Sequence, residues 1–397
     1  MKRRILYITP GLQRAGAEKY VHDLILALDK SKFEAEVLTT DDVHSNTVFP
    51  HYYYFSLKEQ GITLHTFLTP KFNEFKRIRK WLPGKPGGIV LRSFNAFAWI
   101  WNGVIVKIHY RKLGRLFSRY DFISVIDALT FHIVKKPLRK HRNYDIHLMC
   151  HQSQFDNQVY KSFEKHLAYN VVYIDPNQVV EMKAQDLRIG KSCYFPLSIN
   201  INDYNRQYAP PANSFAFRIG VFTRINRAKP LNNIMAAFSL LHTSAKAEIH
   251  LHIFGNKQDE EYFIELEQKI ASLGLQNNVV FEGHSQNMLE SIQNREINLV
   301  WGTSQAGFVG YATVEAGAAG VPLVLSSVTE FENVPADDAS HIPPYFYSPE
   351  KLARYTRQFI EDGNTNMGKV MREHFTSHHN LEKNIKEYEK YVLDMLV

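Results

Sequence analysis

The stretch RILYITPGLQRAGAEKYVHDLILAL (residues 4–28) fixes the class of fold. Its first five residues form a short apolar run typical of a buried strand, and VHDLILAL has the apolar spacing of an amphipathic helix. Between them lies a turn that contains glycines. A helix that begins after such a turn presents free backbone N–H groups, which can hold an anion. The stretch therefore predicts an α/β fold and a candidate phosphate loop.

Two nucleotide-binding motifs fail in this turn. Gly11 and Gly16 enclose four residues as in a P-loop, but Ala17 and Glu18 stand where that motif needs Lys and Ser/Thr. The dinucleotide fingerprint requires a middle glycine for close approach of the pyrophosphate, and Gln13 occupies that position. An NTPase is therefore excluded, and a Rossmann oxidoreductase is poorly supported.

The same alternation of strand and helix patterns continues along the 397 residues, which suit two domains. A polar stretch rich in Pro and Asn near residue 200 is typical of a linker. We predict two Rossmann-like, doubly wound domains with parallel sheets that face a central cleft. The predicted strands of the first half are RILYI, EAEVLTT, ITLHTF, DFISVID, IHLMC and VVYID, and those of the second half are FAFRIGVF, AEIHLHIFG, VVFEG, INLVWGT and VPLVLS.

The composition is that of a soluble globular protein, with 45% hydrophobic and 22% charged residues. No window reaches the ~18 uninterrupted apolar residues of a membrane span. The first ten residues, MKRRILYITP, contain too short an apolar run for a secretory signal, so we expect a cytoplasmic protein. Cys150 and Cys193 show no metal-ligand or CxxC spacing, and no disulfide framework is indicated.

Two segments of the second half carry candidate site residues. In TRINRAKP (223–230), Arg224 and Lys229 lie in a turn that leads into a helix, where two cations can face one diphosphate. The alternative is a pair of solvated loop charges. In GTSQAGFVGYATVEAGAAGVPLVLS (302–326), a glycine-rich loop precedes an apolar helix with the single acid Glu315. Such a carboxylate is either aimed at hydroxyl groups or a cation in a cleft, or it forms a structural salt bridge.

Together these elements resemble the retaining family-four glycosyltransferases of the GT-B fold, over nearly the whole chain. GLQRAGAE resembles the first loop of that family, TRINRAKP its Gly-Arg-x4-Lys segment, and GFVGYATVEAGAAGVPLV its two-glutamate signature. The resemblance implies an acceptor-binding domain (1–203), a sugar-nucleotide-binding domain (204–375) and a C-terminal helix (376–397) that crosses back to the first domain.

The resemblance also implies roles for individual residues. Arg224 and Lys229 would neutralise the donor diphosphate, and Glu315 would accept hydrogen bonds from the ribose hydroxyls. The implied catalytic set is completed by His151, which follows the strand IHLMC. The other implied donor-binding residues are Gly16, Thr223, Gly255, Gly307, Phe308, Val309 and Gly310.

The chain departs from the family pattern at three places. Gly307 stands where the first glutamate of the signature belongs, so the usual contacts to the donor sugar are absent or come from another group. Thr223 replaces the glycine before the arginine, and a family turn is degraded to FPLSIN. Because of Gly307, a catalytically inactive GT-B-like binding or scaffold protein is the alternative. No Asp-x-Asp pair occurs, so we expect neither a metal nor a cofactor.

Positive charge is concentrated in residues 71–119, which contain twelve Lys or Arg and the single acid Glu74. Three of the four tryptophans also lie there. Cations interleaved with aromatic residues favour the surface of an anionic membrane. Alternatives are aromatics packed in the core with solvated cations, an anionic acceptor, or nucleic acid, for which no binding module is present. We therefore expect peripheral membrane contact and no nucleic-acid partner.

From these observations we predict a retaining hexosyltransferase that acts without a metal. Its donor would be a UDP-, GDP- or dTDP-sugar, and its acceptor a hydroxyl of a glycan or lipid-linked glycan used for lipopolysaccharide, O-antigen or capsule. The resemblance places the reaction at the inner face of a bacterial cytoplasmic membrane. Without an obvious carboxylate nucleophile, we expect front-face substitution assisted by the leaving diphosphate.

Overall fold

The chain contains twelve strands, eleven α-helices and a further helical stretch at 110–117 in the part that the computed structural model describes, which is residues 2–13, 16–40, 52–67, 108, 110–150, 159–204, 208, 216–244, 248–303, 309–325, 348–363 and 366–397. The strands are β1 (Arg3–Thr9), β2 (Phe33–Thr39), β3 (Thr63–Thr66), β4 (Phe122–Ile126), β5 (Tyr144–Leu148), β6 (Ala168–Tyr173), β7 (Arg188–Tyr194), β8 (Ala216–Phe222), β9 (Glu248–Phe254), β10 (Val279–Gly283), β11 (Leu299–Trp301) and β12 (Leu323–Val324). The helices are α1 (Gly16–Ala27), α2 (Tyr52–Glu59), α3 (Ala128–Leu138), α4 (Pro176–Ala184), α5 (Leu231–Ser244), α6 (Glu260–Ser272), α7 (Met288–Asn294), α8 (Tyr311–Ala319), α9 (Pro349–Asp362), α10 (Asn366–His378) and α11 (Leu381–Met395).

These elements form two compact units. The first comprises Met1–Ile174, Gln178–Phe195 and Ile385–Val397, and the second comprises Asp175–Asn177 and Pro196–Asn384. The first unit holds a seven-stranded sheet in the order β3-β2-β1-β4-β5-β6-β7, and the second a five-stranded sheet in the order β10-β9-β8-β11-β12. Every strand pair in both sheets is parallel. The predicted α/β class with doubly wound parallel sheets is confirmed.

Apolar runs form the strands because a parallel sheet is covered on both faces. Phe122–Ile126 is buried along its whole length, and the last five residues of β1 are buried as well. The helix α1 buries one stripe, formed by Tyr20, Val21, Leu24 and Ile25. Among the helices of the described residues, none combines the length and apolar character needed to span a bilayer.

Strand β7 (Arg188–Tyr194) is absent from the strands that the sequence predicts. It lies at the edge of the first sheet, and of its seven residues only Cys193 is buried. An edge strand that faces solvent needs no apolar run, and charged residues such as Lys191 are common there. The five strands predicted for the second half are all present as β8–β12.

A buried hydrogen-bonded network joins four elements of the first unit, α1, β4, β5 and α11. The Ser124 hydroxyl on β4 lies 2.7 Å from Asp145 Oδ1 and 2.7 Å from His147 Nε2, both on β5. The Tyr20 hydroxyl lies 2.8 Å from His147 Nδ1. From α11, the Tyr388 hydroxyl lies 3.3 Å from Ser124 Oγ. Among the described residues, Asp145 Oδ2 has no hydrogen-bond partner. The helix α11 is thus bonded to the centre of this sheet.

Burial controls the protonation of the network. It raises the pKa of Asp145 to about 8, an effect that the hydrogen bond from Ser124 reduces only in part. Burial also lowers the pKa of His147 to about 3. The unfolded reference values are 3.8 and 6.5. Between those two values, folded and unfolded chains each hold one proton on this pair, so the pair contributes no pH dependence there.

Above pH 6.5 the two states differ, because the folded chain keeps the Asp145 proton while the unfolded chain has lost both protons. The free energy of unfolding is therefore expected to fall between pH 6.5 and 8, by about 2 kcal/mol in total. Urea unfolding at pH 6 and pH 8.5 measures this loss. Asp145→Asn carries an amide that does not ionise, so it should lose less stability over the same range. An equal alkaline loss in both proteins would contradict the assignment.

Candidate functional site

Both sheets have a switch point beside their first strand. In the second sheet β8 is flanked by β9 on one side and by β11 on the other, so the chain winds in opposite directions from that position. Ligands of doubly wound sheets bind outside the carboxyl ends of the strands at such a point. The turn after β8 begins with Thr223, and the segment after β11 leads to the start of α8. The predicted donor residues of this unit follow these strands and β9.

The turn after β8 is fixed on both sides of Arg224. The Thr223 N–H donates to the Phe254 carbonyl over 2.9 Å, and the Ile225 N–H donates to the Asn256 carbonyl over 2.9 Å. The Ile225 side chain is buried, whereas Arg224 between the two anchored residues is exposed. Lys229 is half-buried at the end of the same turn. The backbone therefore presents the two predicted cations from one short, ordered segment.

Arg224 and Lys229 differ from the third cation of this turn. Arg227 forms ion pairs with Asp259 at 3.4 Å and with Glu265 at 2.5 Å. Within the part of the chain that the structure describes, neither Arg224 nor Lys229 pairs with a carboxylate. Burial, together with repulsion from Arg224, lowers the pKa of Lys229. Two neighbouring cations that lack an acidic partner, one of them partly desolvated, form a site suited to a bound anion.

Gly255 follows β9 and lies directly against this turn. A Cβ at this position would be 1.7 Å from the Thr223 carbonyl oxygen, far inside van der Waals contact. The Gly255 N–H donates to the Gly283 carbonyl over 2.7 Å. Only glycine lets the ends of β8 and β9 approach this closely. Gly255 therefore shapes the turn that carries Arg224.

The helix α8 begins at the same edge of the sheet. Val309 is buried, and Gly310 is the N-cap residue, whose end of the helix is not capped by a side chain. Glu315 is half-buried on a helix in which Thr313, Val314 and all four residues from Ala316 to Ala319 are buried. The structure thus places Gly310 and Glu315 on one helix, while their predicted contacts with a donor stay predictions.

The remaining predicted residues lie elsewhere. Gly307, Phe308 and His151 are outside the described residues, and so are residues 71–107 and 109 of the basic segment. Gly16 is the first residue of α1 in the first unit, and it is exposed. The described residues contain no group of three or more His, Cys, Asp or Glu arranged to hold a metal ion. Independence from metal stays a prediction.

Asp127 is a candidate that the sequence analysis missed. It follows β4, which flanks β1 at the switch point of the first sheet, and it is the N-cap of α3. Its backbone has φ 77° and ψ 140°, a region that glycine occupies far more readily than other residues. Its N–H donates to the His147 carbonyl over 3.0 Å, and burial raises the pKa of its carboxyl. The acid after the buried run FISVI was the available sequence signal.

The strain at Asp127 is open to measurement. A non-glycine residue in this region costs on the order of 1–3 kcal/mol. Asp127→Gly is expected to raise the free energy of unfolding by about 1 kcal/mol, since glycine caps a helix almost as well as Asp. Asp127→Ala keeps the Cβ and loses the carboxylate cap, so it should lower that free energy by about 1 kcal/mol. Urea denaturation of the wild type and both variants measures these changes, and an Asp127→Gly protein no more stable than the wild type would show that no strain is stored here.

Comparisons with known proteins agree with this architecture. Residues 212–378 match the model of the family described as glycosyl transferases group 1. HepE of Anabaena, solved in complex with UDP-glucose, superposes with a TM-score of 0.73 at 16% identity, covering 99% of this chain and 100% of that chain. A glycosyltransferase of Rickettsia africae gives a TM-score of 0.69 at 11% identity, over 100% of this chain and 99% of that chain.

A third similar structure is the lipopolysaccharide outer core galactosyltransferase WaaB, with a TM-score of 0.65 at 13% identity, over 98% of this chain and 99% of that chain. No curated protein sequence matches the chain. Likeness at these identities establishes the fold, and the family match covers the unit that carries Arg224, Lys229 and Glu315. Residues 212–378 therefore match the model of the glycosyl transferases group 1, and the chain has the GT-B fold.

Proposed function

We propose that this protein is a retaining glycosyltransferase that moves a hexose from a nucleotide diphosphate sugar to a hydroxyl of a surface-glycan precursor. The observation that carries the proposal is the turn after β8, which contains both Arg224 and Lys229. Neither cation forms an ion pair with a carboxylate among the residues that the structure describes. A diphosphate supplies the negative charge that this pair lacks. The family match over the same unit supports the assignment of transferase chemistry to it.

The cations act on the leaving group. As the bond between the sugar C1 and the diphosphate oxygen breaks, negative charge grows on that oxygen, and Arg224 and Lys229 stabilise it. The acceptor oxygen forms its bond to C1 on the same face, and the proton of the acceptor hydroxyl leaves on the diphosphate. The two cations take the place that a metal ion has in other transferases, so the proposed reaction is metal-independent.

The other predicted residues have assigned parts in this proposal. We assign Glu315 to the ribose hydroxyls, from which it would accept hydrogen bonds, and residues 307–310 to the sugar and phosphate. Gly16 is assigned to the approach of the substrates to the backbone, and His151 to the reacting sugar. UDP-sugars are the first donors to test, since HepE was solved with UDP-glucose. The name of WaaB supports a lipopolysaccharide-type acceptor, alongside O-antigen and capsule precursors.

The proposal includes peripheral contact with an anionic membrane, which the sequence predicts for residues 71–119 and which we extend to cations that follow this segment. In the first unit, exposed cations gather in the turns at the amino ends of β4 and β5, namely Arg119, Arg139, Lys140 and Arg142. The two turns touch, because His141 Nε2 lies 3.0 Å from the Tyr120 carbonyl oxygen. Arg139 pairs with Glu164, and no other cation of this group pairs with a described carboxylate. Each such surface cation contributes on the order of 1 kcal/mol against anionic lipid.

Sedimentation with vesicles tests this contact. The protein should pellet with phosphatidylglycerol vesicles at low salt and remain free with phosphatidylcholine vesicles. The double variant Lys140→Glu and Arg142→Glu should lose most of the binding. Lys351→Glu with Arg354→Glu, on α9 of the second unit, makes the same charge change elsewhere and serves as the control. Equal losses in both, or tighter binding to duplex DNA than to vesicles, would argue against a membrane surface.

Donor binding is tested by thermal unfolding with UDP-, GDP- and dTDP-sugars. A donor at 100 times its Kd is expected to add about 2.7 kcal/mol to the free energy of unfolding. The donor that stabilises is then incubated with candidate acceptor glycans, and the anomeric configuration of the product is read by NMR. Retention supports the proposed mechanism, and inversion rejects it. Stabilisation by a donor with neither transfer nor donor hydrolysis would favour the inactive binding protein.

A further inference from the structure

At the C-terminal end of α8, the residues that directly follow the helix donate hydrogen bonds to only part of its last carbonyl groups. The last four carbonyl groups of a helix have no partner within the helix and need one from outside. Gly320, at φ 81°, closes the helix with a left-handed turn. In that turn the Gly320 N–H donates to the Gly317 carbonyl over 2.9 Å, and the Val321 N–H donates to the Ala316 carbonyl over 3.0 Å. Two carbonyl groups are left for other segments.

Those two carbonyl groups are bonded to α10 and to the linker. Arg372 on α10 donates from Nη1 to the Ala318 carbonyl over 2.6 Å, and from Nη2 to the carbonyl of Tyr204. The Tyr208 N–H donates to the Ala319 carbonyl over 2.8 Å. One guanidinium group therefore joins the end of α8 to the segment that precedes the second sheet.

The packing between α8 and α10 leaves little room for a shift. A Cβ at Gly317 would lie 2.1 Å from Cδ2 of Phe375, so the aromatic ring contacts the backbone of α8 directly. A Cβ at Gly368 would lie 2.2 Å from the carbonyl oxygen of Gly320. The two glycines thus allow close packing of α8 and α10, through contacts of residues that precede and follow Arg372 in the sequence. These contacts with α10 help to hold α8 in place.

We propose that Arg372 is a positioning residue for the donor nucleotide, acting through α8, which begins after Gly310 and carries Glu315 at its middle. The inference rests on the proposed function, since α8 must contact the donor for its position to matter. A helix of this length spans about 13 Å, so a small tilt at one end moves the other. A misplacement of about 1 Å at a binding group can reduce activity by as much as 10²-fold. The positive charge of Arg372 also lies at the negative end of the helix dipole of α8, where a cation is stabilising.

Substitution of Arg372 by lysine or by methionine distinguishes the effect of its positive charge from the effect of its two hydrogen bonds. Arg372→Met removes both hydrogen bonds, and Arg372→Lys keeps the charge but loses the planar fork that bridges two carbonyl groups. Titration with UDP, GDP and dTDP is expected to show the Kd of the preferred nucleotide raised about tenfold in Arg372→Met, with Arg372→Lys in between. The KM for the donor should rise with it, while the KM for the acceptor stays close to that of the wild type.

Arg218→Met is the matched control. Arg218 lies on β8 in the same unit, and its Nη1 pairs with Glu296 Oε2 at 2.7 Å, so this variant also removes a partly buried guanidinium interaction. It is expected to lower the Tm as Arg372→Met does while leaving the Kd for the nucleotide unchanged. Equal changes of the nucleotide Kd in both variants would overturn the positioning role. If Arg372→Met does not fold, the comparison is made with Arg372→Lys.

Glu315→Ala distinguishes failure of this inference from failure of the proposed donor site. If Glu315→Ala weakens nucleotide binding and the Arg372 variants do not, α8 contacts the donor and Arg372 does not position it. If Glu315→Ala binds all three nucleotides as the wild type does, the proposed donor site on α8 is wrong, and the inference falls with it. Weaker binding in both, with Arg218→Met unchanged, is the result that we expect.

Discussion

Replacement of Lys229 by methionine is expected to lower kcat/KM for the sugar-nucleotide donor by about 10²- to 10³-fold, with a similar loss in Arg224→Met. Both cations face charge that grows as the diphosphate leaves, so each contributes more in the transition state than in the ground state. The loss should therefore appear in kcat as well as in KM. Initial rates with the donor identified by thermal unfolding measure both constants.

Arg227→Met provides the control within the same turn. Arg227 is bonded to Glu265 through both terminal nitrogens, at 2.8 and 2.5 Å, and is exposed. It has the same charge as Arg224 and lies three residues away, but its guanidinium group is paired with Glu265 on α6. Its replacement is expected to change kcat/KM less than threefold. A loss in Arg227→Met equal to that in Lys229→Met would mean that overall charge, rather than a defined anion site, governs activity.

Gly255→Ala is expected to lower the free energy of unfolding of the second unit by about 3 kcal/mol, at the upper end of the cost of overpacking. The new Cβ would lie 1.7 Å from the Thr223 carbonyl oxygen, and that atom belongs to the backbone and cannot rotate away. The ends of β8 and β9 must separate, and the turn that carries Arg224 must move with them. We therefore expect nucleotide binding to weaken together with stability.

Gly114→Ala is the matched control for this substitution. A Cβ at Gly114 meets no atom within 4 Å, and the residue lies in the helical stretch 110–117. Alanine there is expected to leave stability unchanged or to raise it by about 0.5–1 kcal/mol. Thermal unfolding of both variants gives the comparison. A Gly255→Ala protein as stable as the wild type would show that β8 and β9 can separate at little cost.

The candidate site could be predicted in part. Arg224, Lys229 and Glu315 are predicted from the sequence because paired cations in a turn and an acid in an apolar helix are local patterns, and their roles stay predictions. Asp127 was missed because its signal is a backbone angle that no spacing of residues reveals. The contacts of Arg372 have no local signal, because its two acceptors, Ala318 and Tyr204, lie 54 and 168 residues away.

The sequence by itself determined the class of the fold and the positions of the strands β8–β12 along the chain, because each strand of a sheet covered on both faces must be an apolar run. It did not reveal β7, whose edge position removes that requirement. The tertiary structure alone decided which cations stay unpaired. Arg227 and Arg224 are equivalent in a local pattern, and only the fold brings Glu265, 38 residues away, to the first of them. Charge pairing depends on distance in space, which spacing along the chain does not record.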